Sequence, residues 1–194
     1  IYHIYLYKWR DLSTLKKIQD LLKYYLLTKF KCFYSIYLLN DDFAHNFINK
    51  KFKTKKFKYL VDPILDVDKT KITDLRSRLK IKKHNQVVLH FGAMSKSKGT
   101  LDILSLLEKI PKNKLDNLVF IFAGVIKKDI IDEFNIKINK INYKTRIIIY
   151  NEFLDFIFIN SLFYTSDVIL CPYNRVYQSS GVIGLSAKFN KPVI

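Results

Sequence analysis

Glycine and proline are scarce in this 194-residue sequence, which contains five glycines and four prolines. Disordered chains are usually rich in such residues and poor in apolar ones, whereas 49% of this chain is apolar. The chain therefore has enough apolar material for a real core. Its length allows one large domain, or one domain and part of another.

Cysteine is also nearly absent, and long apolar runs are missing. Cys32 and Cys171 are far apart and match no metal or redox spacing. Cys171 follows an apolar run, so we expect a buried, reduced thiol in an intracellular protein. No run approaches the roughly 20 apolar residues of a membrane-spanning helix, and residues 1–9 do not resemble a signal peptide. The chain starts without Met and ends in a predicted strand, so we expect truncation at both ends.

Negative charge is in short supply, with 17 Asp+Glu against 34 Lys+Arg and a net charge of +17. A basic surface suits a phosphate-bearing partner, such as nucleic acid, an anionic membrane or a nucleotide. Lysine dominates and is spread along the whole chain, which favours a compositional bias over bidentate phosphate recognition by arginine. For the lysine-rich residues 50–58 we expect a solvated helix or loop, with contact to nucleic acid or a membrane as the alternative.

From Gln86 onward, short apolar runs alternate with amphipathic segments of helical spacing. This alternation predicts a doubly wound parallel α/β sheet that binds its ligand at the carboxyl ends of the strands. The predicted strands are residues 86–91, 118–122, 146–150, 168–170 and 192–194. The predicted helical stripes are Leu101, Leu104, Leu107 and Ile110; Ile130, Ile131, Phe134, Ile138 and Ile141; and Phe156, Ile159, Leu162 and Phe163.

The N-terminal part is less regular. It predicts a helix over residues 12–27, a strand over 35–39, and a helix over 43–48 that is capped by residues 40–42. This pattern indicates the end of a second α/β domain within residues 1–60. Residues 61–84 are predicted to be a linker, with a short lead-in helix over 74–79, and residues 85–194 form the main domain.

The first candidate site, which we call the first anion segment, is residues 90–100. It follows a strand and opens a helix, so it presents backbone N–H groups and a positive dipole end to an anion. Gly92 allows close approach of a ligand, and Lys98 can place its ammonium against phosphate oxygens. The segment matches neither the P-loop nor the dinucleotide fingerprint. A tight turn with solvated lysines is the alternative.

The second anion segment is residues 172–184, where a polar loop leads into a helix beginning near Ser179, Ser180 and Gly181. Hydroxyl groups and a glycine at a helix N-terminus form another anion site, which Arg175 can reach. Plain N-capping by the serines is the alternative. The occurrence of both segments at the carboxyl ends of strands in one sheet favours a diphosphate placed between them.

The order of these motifs resembles the donor half of GT-B glycosyltransferases, particularly the group-1 (family 4) type. The matching motifs are Phe91-Gly92, Lys98-Gly99, Ala123-Gly124, Asp167-Val168, Pro172-Tyr173, Ser180-Gly181 and Lys191-Pro192-Val193-Ile194.

The resemblance implies transfer of a sugar from a nucleotide diphosphate sugar to a saccharide or lipid-linked acceptor, as in cell-surface polysaccharide biosynthesis. It implies a retaining reaction without metal or other cofactor, in the cytoplasm, with peripheral contact to an anionic membrane as a further expectation and no nucleic-acid partner. Residues 1–60 become the remnant of an acceptor-binding domain, and 85–194 a truncated donor domain that is inactive alone. The donor diphosphate would be bound by Gly92, Lys98, Arg175, Ser179, Ser180 and Gly181, and the nucleoside by Gly124, Tyr150, Glu152 and Phe153.

The sequence departs from this family at several positions. Ala93 and Met94 stand where many relatives have an arginine, and the positions of the paired glutamates fall on Tyr177 and Leu185. These departures favour an alternative, a non-catalytic nucleotide-sugar-binding module of the same fold. A nucleic-acid-binding α/β protein is a third hypothesis, which rests on charge alone. Asp66-Val67-Asp68 fits a metal motif of GT-A enzymes, but its position in the linker indicates chance.

Overall fold

The computed structural model describes residues 13–61, 63, 69–141, 146–174 and 180–194. These residues form two compact units, and the boundary between them in the sequence follows Pro63. No helix among the described residues combines the length and the apolar character that crossing a bilayer requires.

The first unit is a β–α–β arrangement with one additional helix. Strands β1 (Ile36–Leu39) and β2 (Phe57–Leu60) are parallel and paired in register, and α2 (Asp42–Phe52) connects them. The Asp41 carboxylate accepts a 2.8 Å hydrogen bond from the Ala44 N–H, which confirms the predicted cap. Helix α1 (Thr14–Lys29) precedes this arrangement. The core of the unit consists of Tyr24, Ile36, Leu38, Ala44, Ile48 and Phe57.

Two features of this unit differ from the sequence-based expectation. Strand β2 begins inside the lysine-rich residues 50–58, so the prediction of a solvated helix or loop there is wrong at its end. Phe57 is buried, and its backbone N–H and carbonyl both bond to the Asn49 side chain. Apolar side chains on a helix usually face a core, but on α1 Leu15 is 74% exposed, and Ile18, Leu22 and Leu26 are exposed too.

The second unit is built on a parallel sheet in the order β5–β4–β3–β6, which confirms the predicted doubly wound α/β fold class. Val193 extends the sheet by an isolated bridge to Ile169. The strands are β3 (Gln86–Phe91), β4 (Leu118–Ala123), β5 (Arg146–Tyr150) and β6 (Val168–Ile169), and the helices are α3 (Thr100–Lys109), α4 (Ile131–Lys140), α5 (Phe156–Thr165) and α6 (Gly181–Lys188).

Successive strand residues point to opposite faces of this sheet, so one strand contributes to both cores. Val88 and Phe120 pack into the cluster that contains α3 and α4. Leu89 and Ile121 pack into the cluster that contains α5 and α6. Both faces of the sheet are therefore covered, which explains why its strands are continuous apolar runs rather than alternating ones.

The predicted lead-in helix over residues 74–79 is wrong, because the chain forms a single turn there. The Ile81 N–H bonds to the Arg76 carbonyl at 2.8 Å, and Lys80 ends the turn with φ 51°. Leu75 and Ile81 are buried in the second unit. The Arg76 guanidinium lies 2.7 Å from the Asp167 carboxylate. The segment therefore packs onto the second unit before β3 begins.

Phe134 on α4 tests this packing. Its ring is buried and meets the Phe122 ring edge-on, with centroids 5.9 Å apart. We expect Phe134→Ala to lower the free energy of unfolding by about 3–5 kcal/mol, because the vacated volume cannot fully collapse. Ile136→Ala on the same helix is the control, since Ile136 is exposed. Urea unfolding measures both, and a similar effect for the two variants would contradict this account of the core.

Candidate functional site

The carboxyl ends of β3 and β4 bring two of the predicted site glycines into contact. Gly92 has φ 113° and Gly124 has φ 131°. A Cβ atom on Gly124 would lie 2.2 Å from the Gly92 carbonyl oxygen, and one on Gly92 would lie 3.9 Å from Val182 at the start of α6. The backbones at Gly92 and Gly124 thus lie closer together than a side chain at position 124 would allow. The first anion segment therefore borders the first turn of α6, which belongs to the second.

The 3₁₀ turn Lys96–Lys98 carries Lys98, the predicted phosphate-binding residue. The loop after β6 holds this turn in place. The Asn174 N–H donates to the Ser97 carbonyl at 3.1 Å, and the Asn174 side-chain amide donates to the Lys96 carbonyl and the Asp102 carboxylate. Gly99 follows with φ 69°, and a Cβ atom there would lie 2.1 Å from the Pro172 carbonyl oxygen. The two anion segments are therefore joined directly.

The Lys98 ammonium is half-buried and has an aromatic partner in place of an acidic one. Its Nζ lies 3.7 Å from the centroid of the Tyr173 ring. Among the described residues, no carboxylate lies within ion-pair distance of it. Burial lowers the pKa of Lys98, and the neighbouring Cys171 thiol partly opposes this shift. A desolvated cation of this kind is suited to a mobile anionic ligand.

Helix α6 begins with free donors. Ser180 is its N-cap but makes no side-chain cap bond; its hydroxyl lies 3.2 Å from the Tyr173 hydroxyl. Plain N-capping is therefore not the role of Ser180 here. The N–H groups of Gly181 and Val182 have no acceptor within the described part of the chain. Within the described part of the chain, a Cβ atom on Gly181 would meet nothing within 4 Å, so no described residue blocks a ligand at this helix end.

One predicted contact is corrected. The resemblance implied that Gly92 binds the diphosphate. However, the Gly92 N–H donates to the Ala123 carbonyl at 2.9 Å, so it is not available to bind a phosphate oxygen. Gly92 contributes open space instead.

The predicted nucleoside residues lie at the ends of β4 and β5. The Gly124 N–H donates to the Tyr150 carbonyl at 2.9 Å, and the Tyr150 ring packs edge-on against Phe158 at 5.1 Å. Glu152 and Phe153 follow in the next loop. Both are exposed, and Phe153 is 94% exposed. An aromatic face in this loop is therefore open to stack on a ligand.

Comparison with known proteins identifies the fold. No family model matches the chain, and no curated protein resembles it in sequence. Among solved structures, Anabaena Alr3699/HepE with UDP and glucose matches with a TM-score of 0.65 and 18% identity, covering 99% of this chain and 51% of that one. The glycosyltransferase WaaG, involved in lipopolysaccharide biosynthesis, matches at 0.60 and 17%, covering 80% and 43%. A trehalose-6-phosphate synthase matches at 0.54 and 15%, covering 77% and 43%.

The fold is that of the GT-B glycosyltransferases. The predicted resemblance is confirmed at this level. The chain spans about half the length of the HepE structure.

Two of the described positions at which the chain departs from the GT-B motif, Met94 and Leu185, pack into the cores. Met94 is fully buried in the cluster with α3 and α4, so it cannot reach a ligand as an arginine would. Leu185, at a family glutamate position, packs against the cluster on the opposite face. Cys171 is half-buried rather than buried as predicted, and neither cysteine forms a disulfide with another described residue.

Several predicted residues lie outside the described part of the chain. Arg175 and Ser179 of the proposed diphosphate set are among them, as are Tyr177 and the Asp66-Val67-Asp68 motif. Within the described ranges, no three His, Cys, Asp or Glu side chains cluster in a way that could hold a metal ion.

His90, the first residue of the first anion segment, bonds to Thr100 at the other end of that segment and to the chain just after β6. Its Nδ1 lies 3.1 Å from the Leu170 carbonyl, which can only accept, so Nδ1 carries the proton. Nε2 then accepts from the Thr100 hydroxyl at 2.9 Å, and the Thr100 oxygen accepts from the Ser95 N–H. Burial lowers the pKa of His90 to about 4; the Leu170 carbonyl opposes this shift and Lys98 adds to it.

This neutral histidine predicts a pH-dependent stability. The folded protein binds the His90 proton less tightly than the unfolded chain, so stability falls as pH drops from the ordinary pKa of 6.5 toward about 4. The loss is about 3 kcal/mol across this window, following the size of the pKa shift. His90→Gln cannot titrate and should show a smaller dependence. Urea unfolding at several pH values in the window measures this, and identical slopes in both proteins would contradict it.

Proposed function

We propose that this chain carries the donor-binding half of a glycosyltransferase, which binds the diphosphate of a nucleotide sugar between Lys98 and the start of α6. The activity moves the sugar to a saccharide or lipid-linked acceptor. The observation that supports this most directly is the half-buried Lys98 ammonium without an ion pair among the described residues. The N–H groups of Gly181 and Val182, which have no acceptor among the residues that the structure describes, support it as well.

The proposed reaction needs a stabilised leaving group. The bond between the sugar C1 and the terminal phosphate oxygen breaks, a bond to the acceptor oxygen forms, and the acceptor loses a proton. Negative charge grows on the departing diphosphate. A fixed ammonium and oriented N–H groups stabilise that charge in the transition state without reorganising. In this proposal they do so in place of a metal ion.

UDP is the appropriate first probe, because the HepE structures contain UDP and UDP-glucose. In the proposed complex the base stacks on the exposed Phe153 ring, since an aromatic side chain can stack on any nucleobase. The adjacent Gly124, Tyr150 and Glu152 would border the nucleoside.

Replacing Lys98 tests the diphosphate site. We expect Lys98→Ala to weaken UDP binding by about 1–3 kcal/mol, because a charge-assisted hydrogen bond is lost. Lys109→Ala removes the same charge from the exposed far end of α3 and is the control. Isothermal titration calorimetry measures both affinities. Unchanged affinity of Lys98→Ala would exclude this lysine from the site.

Replacing Gly181 separates ligand binding from folding. Gly181 does not have positive φ, and an added Cβ meets no atom of the described residues, so Gly181→Ala should leave stability unchanged or raise it by up to about 1 kcal/mol. The same Cβ would block a phosphate approaching the α6 amides, so UDP affinity should fall several-fold. Thermal unfolding and calorimetry on one preparation measure the pair. Loss of stability together with affinity would instead indicate a structural role.

A second function, non-catalytic binding of a nucleotide sugar, is favoured by the burial of Met94 and the packing of Leu185. Release of UDP from UDP-glucose in the presence of acceptor distinguishes the two, since a binding module takes up UDP-glucose without releasing UDP.

The cellular setting is part of the proposal. We place the activity in the cytoplasm with peripheral contact to an anionic membrane, on the support of the net charge of +17. Sedimentation with anionic and neutral vesicles tests this contact, and equal binding to both would contradict it.

A further inference from the structure

Tyr173 belongs to the second anion segment and contacts a ligand-binding candidate in each of the two segments. The face of its ring is 3.7 Å from the Lys98 ammonium, and its hydroxyl is 3.2 Å from the Ser180 hydroxyl. The tyrosine is half-buried, and this burial raises its pKa to about 12. The side chain therefore stays neutral at physiological pH and can act through both contacts at once.

The backbone around Tyr173 is fixed to the turn that carries Lys98. Pro172 abuts Gly99, where no Cβ atom would fit. On the other side, the Asn174 backbone and side chain bond to the carbonyls of Ser97 and Lys96. Because both neighbours of Tyr173 are held, its backbone is fixed beside the turn that carries Lys98.

An aromatic partner suits a lysine that must bind a phosphate. A carboxylate would neutralise the ammonium and compete with the ligand, whereas a π face attracts the cation and leaves its charge uncompensated. The ring also restricts the long side chain of Lys98 before the ligand arrives, which reduces the entropy cost of binding.

The hydroxyl contact has a complementary effect at α6. A serine at an N-cap commonly accepts a hydrogen bond from an N–H group of the first turn. Here the Ser180 hydroxyl bonds to Tyr173 and makes no cap bond. The donors at the start of α6 therefore remain for an anion.

We propose that Tyr173 is a positioning residue of the donor site, whose ring orients Lys98 and whose hydroxyl diverts Ser180 from capping, so that both segments bind one diphosphate. This inference rests on the proposed function. Tyr173 acts through Lys98 and Ser180 and takes no part in bond making itself.

Calorimetry with UDP on the full chain tests the role of the ring. Tyr173→Leu should weaken UDP binding about tenfold, the equivalent of a desolvated cation–π contact. Tyr173→Phe keeps the ring and should restore most of this loss. The control is Tyr164→Leu, which removes a second lysine–tyrosine pair, Lys191 at 6.0 Å from an exposed ring on α5, and should leave UDP affinity unchanged.

A double-mutant cycle separates positioning from general destabilisation. If the ring acts through Lys98, then Lys98→Ala should cost much less in the Tyr173→Leu background than in the wild type, because coupled residues are non-additive. If Tyr173→Leu does not fold, the cycle of Tyr173→Phe with Ser180→Ala takes its place. In that cycle, the double variant should have a UDP affinity no lower than that of whichever single variant binds UDP less tightly.

The outcomes distinguish the two ideas. If the wild type binds UDP but Tyr173→Leu binds it equally well, or if the cycles are additive, the positioning role is overturned and the donor site stands. If the wild type does not bind UDP, the proposed function fails, and the inference that depends on it fails as well.

Discussion

The site depends on the parallel pairing of β3 with both of its neighbours. Val88 is in register with Phe120 of β4 on one side and Val168 of β6 on the other. Because all the strands run in the same direction, their carboxyl ends meet at one edge. A shift of β3 by two residues would keep its apolar faces buried but would separate Gly92 from Gly124. The register therefore fixes the site as well as the core.

Two glycines allow the close backbone contacts that hold the loops of the candidate site together. At Gly99 and Gly124 the backbone lies so close to a neighbouring carbonyl that a Cβ atom would overlap it. These contacts join the turn after β3 to the loops after β4 and β6. Lys98 reaches the Tyr173 ring only because the Gly99 backbone rests on Pro172. The position of the Lys98 ammonium is thus set by the contact between two uncharged residues, Gly99 and Pro172.

The sequence predicted features that depend on local pattern. The strands of the second unit are apolar on both faces, which identifies a covered parallel sheet, and the positions of Lys98 and Gly181 after strands indicate an anion site. Features set by tertiary contacts could not be predicted. Phe57 is surrounded in sequence by lysines, so only its pairing beside Ile36 reveals a strand. The Gly92 N–H is occupied by Ala123, and the Ser180 hydroxyl by Tyr173, and no sequence spacing encodes either partner.

The lysine–tyrosine contact has a consequence for the speed of binding. A lysine held in an ion pair must first separate from its partner, and that separation contributes a barrier to ligand association. Lys98 has no such partner among the described residues, and a ring face releases a cation without leaving a buried charge behind. If the proposed function holds, encounter with a diphosphate is then governed by long-range attraction to the basic chain, whose strength decreases as ionic strength rises.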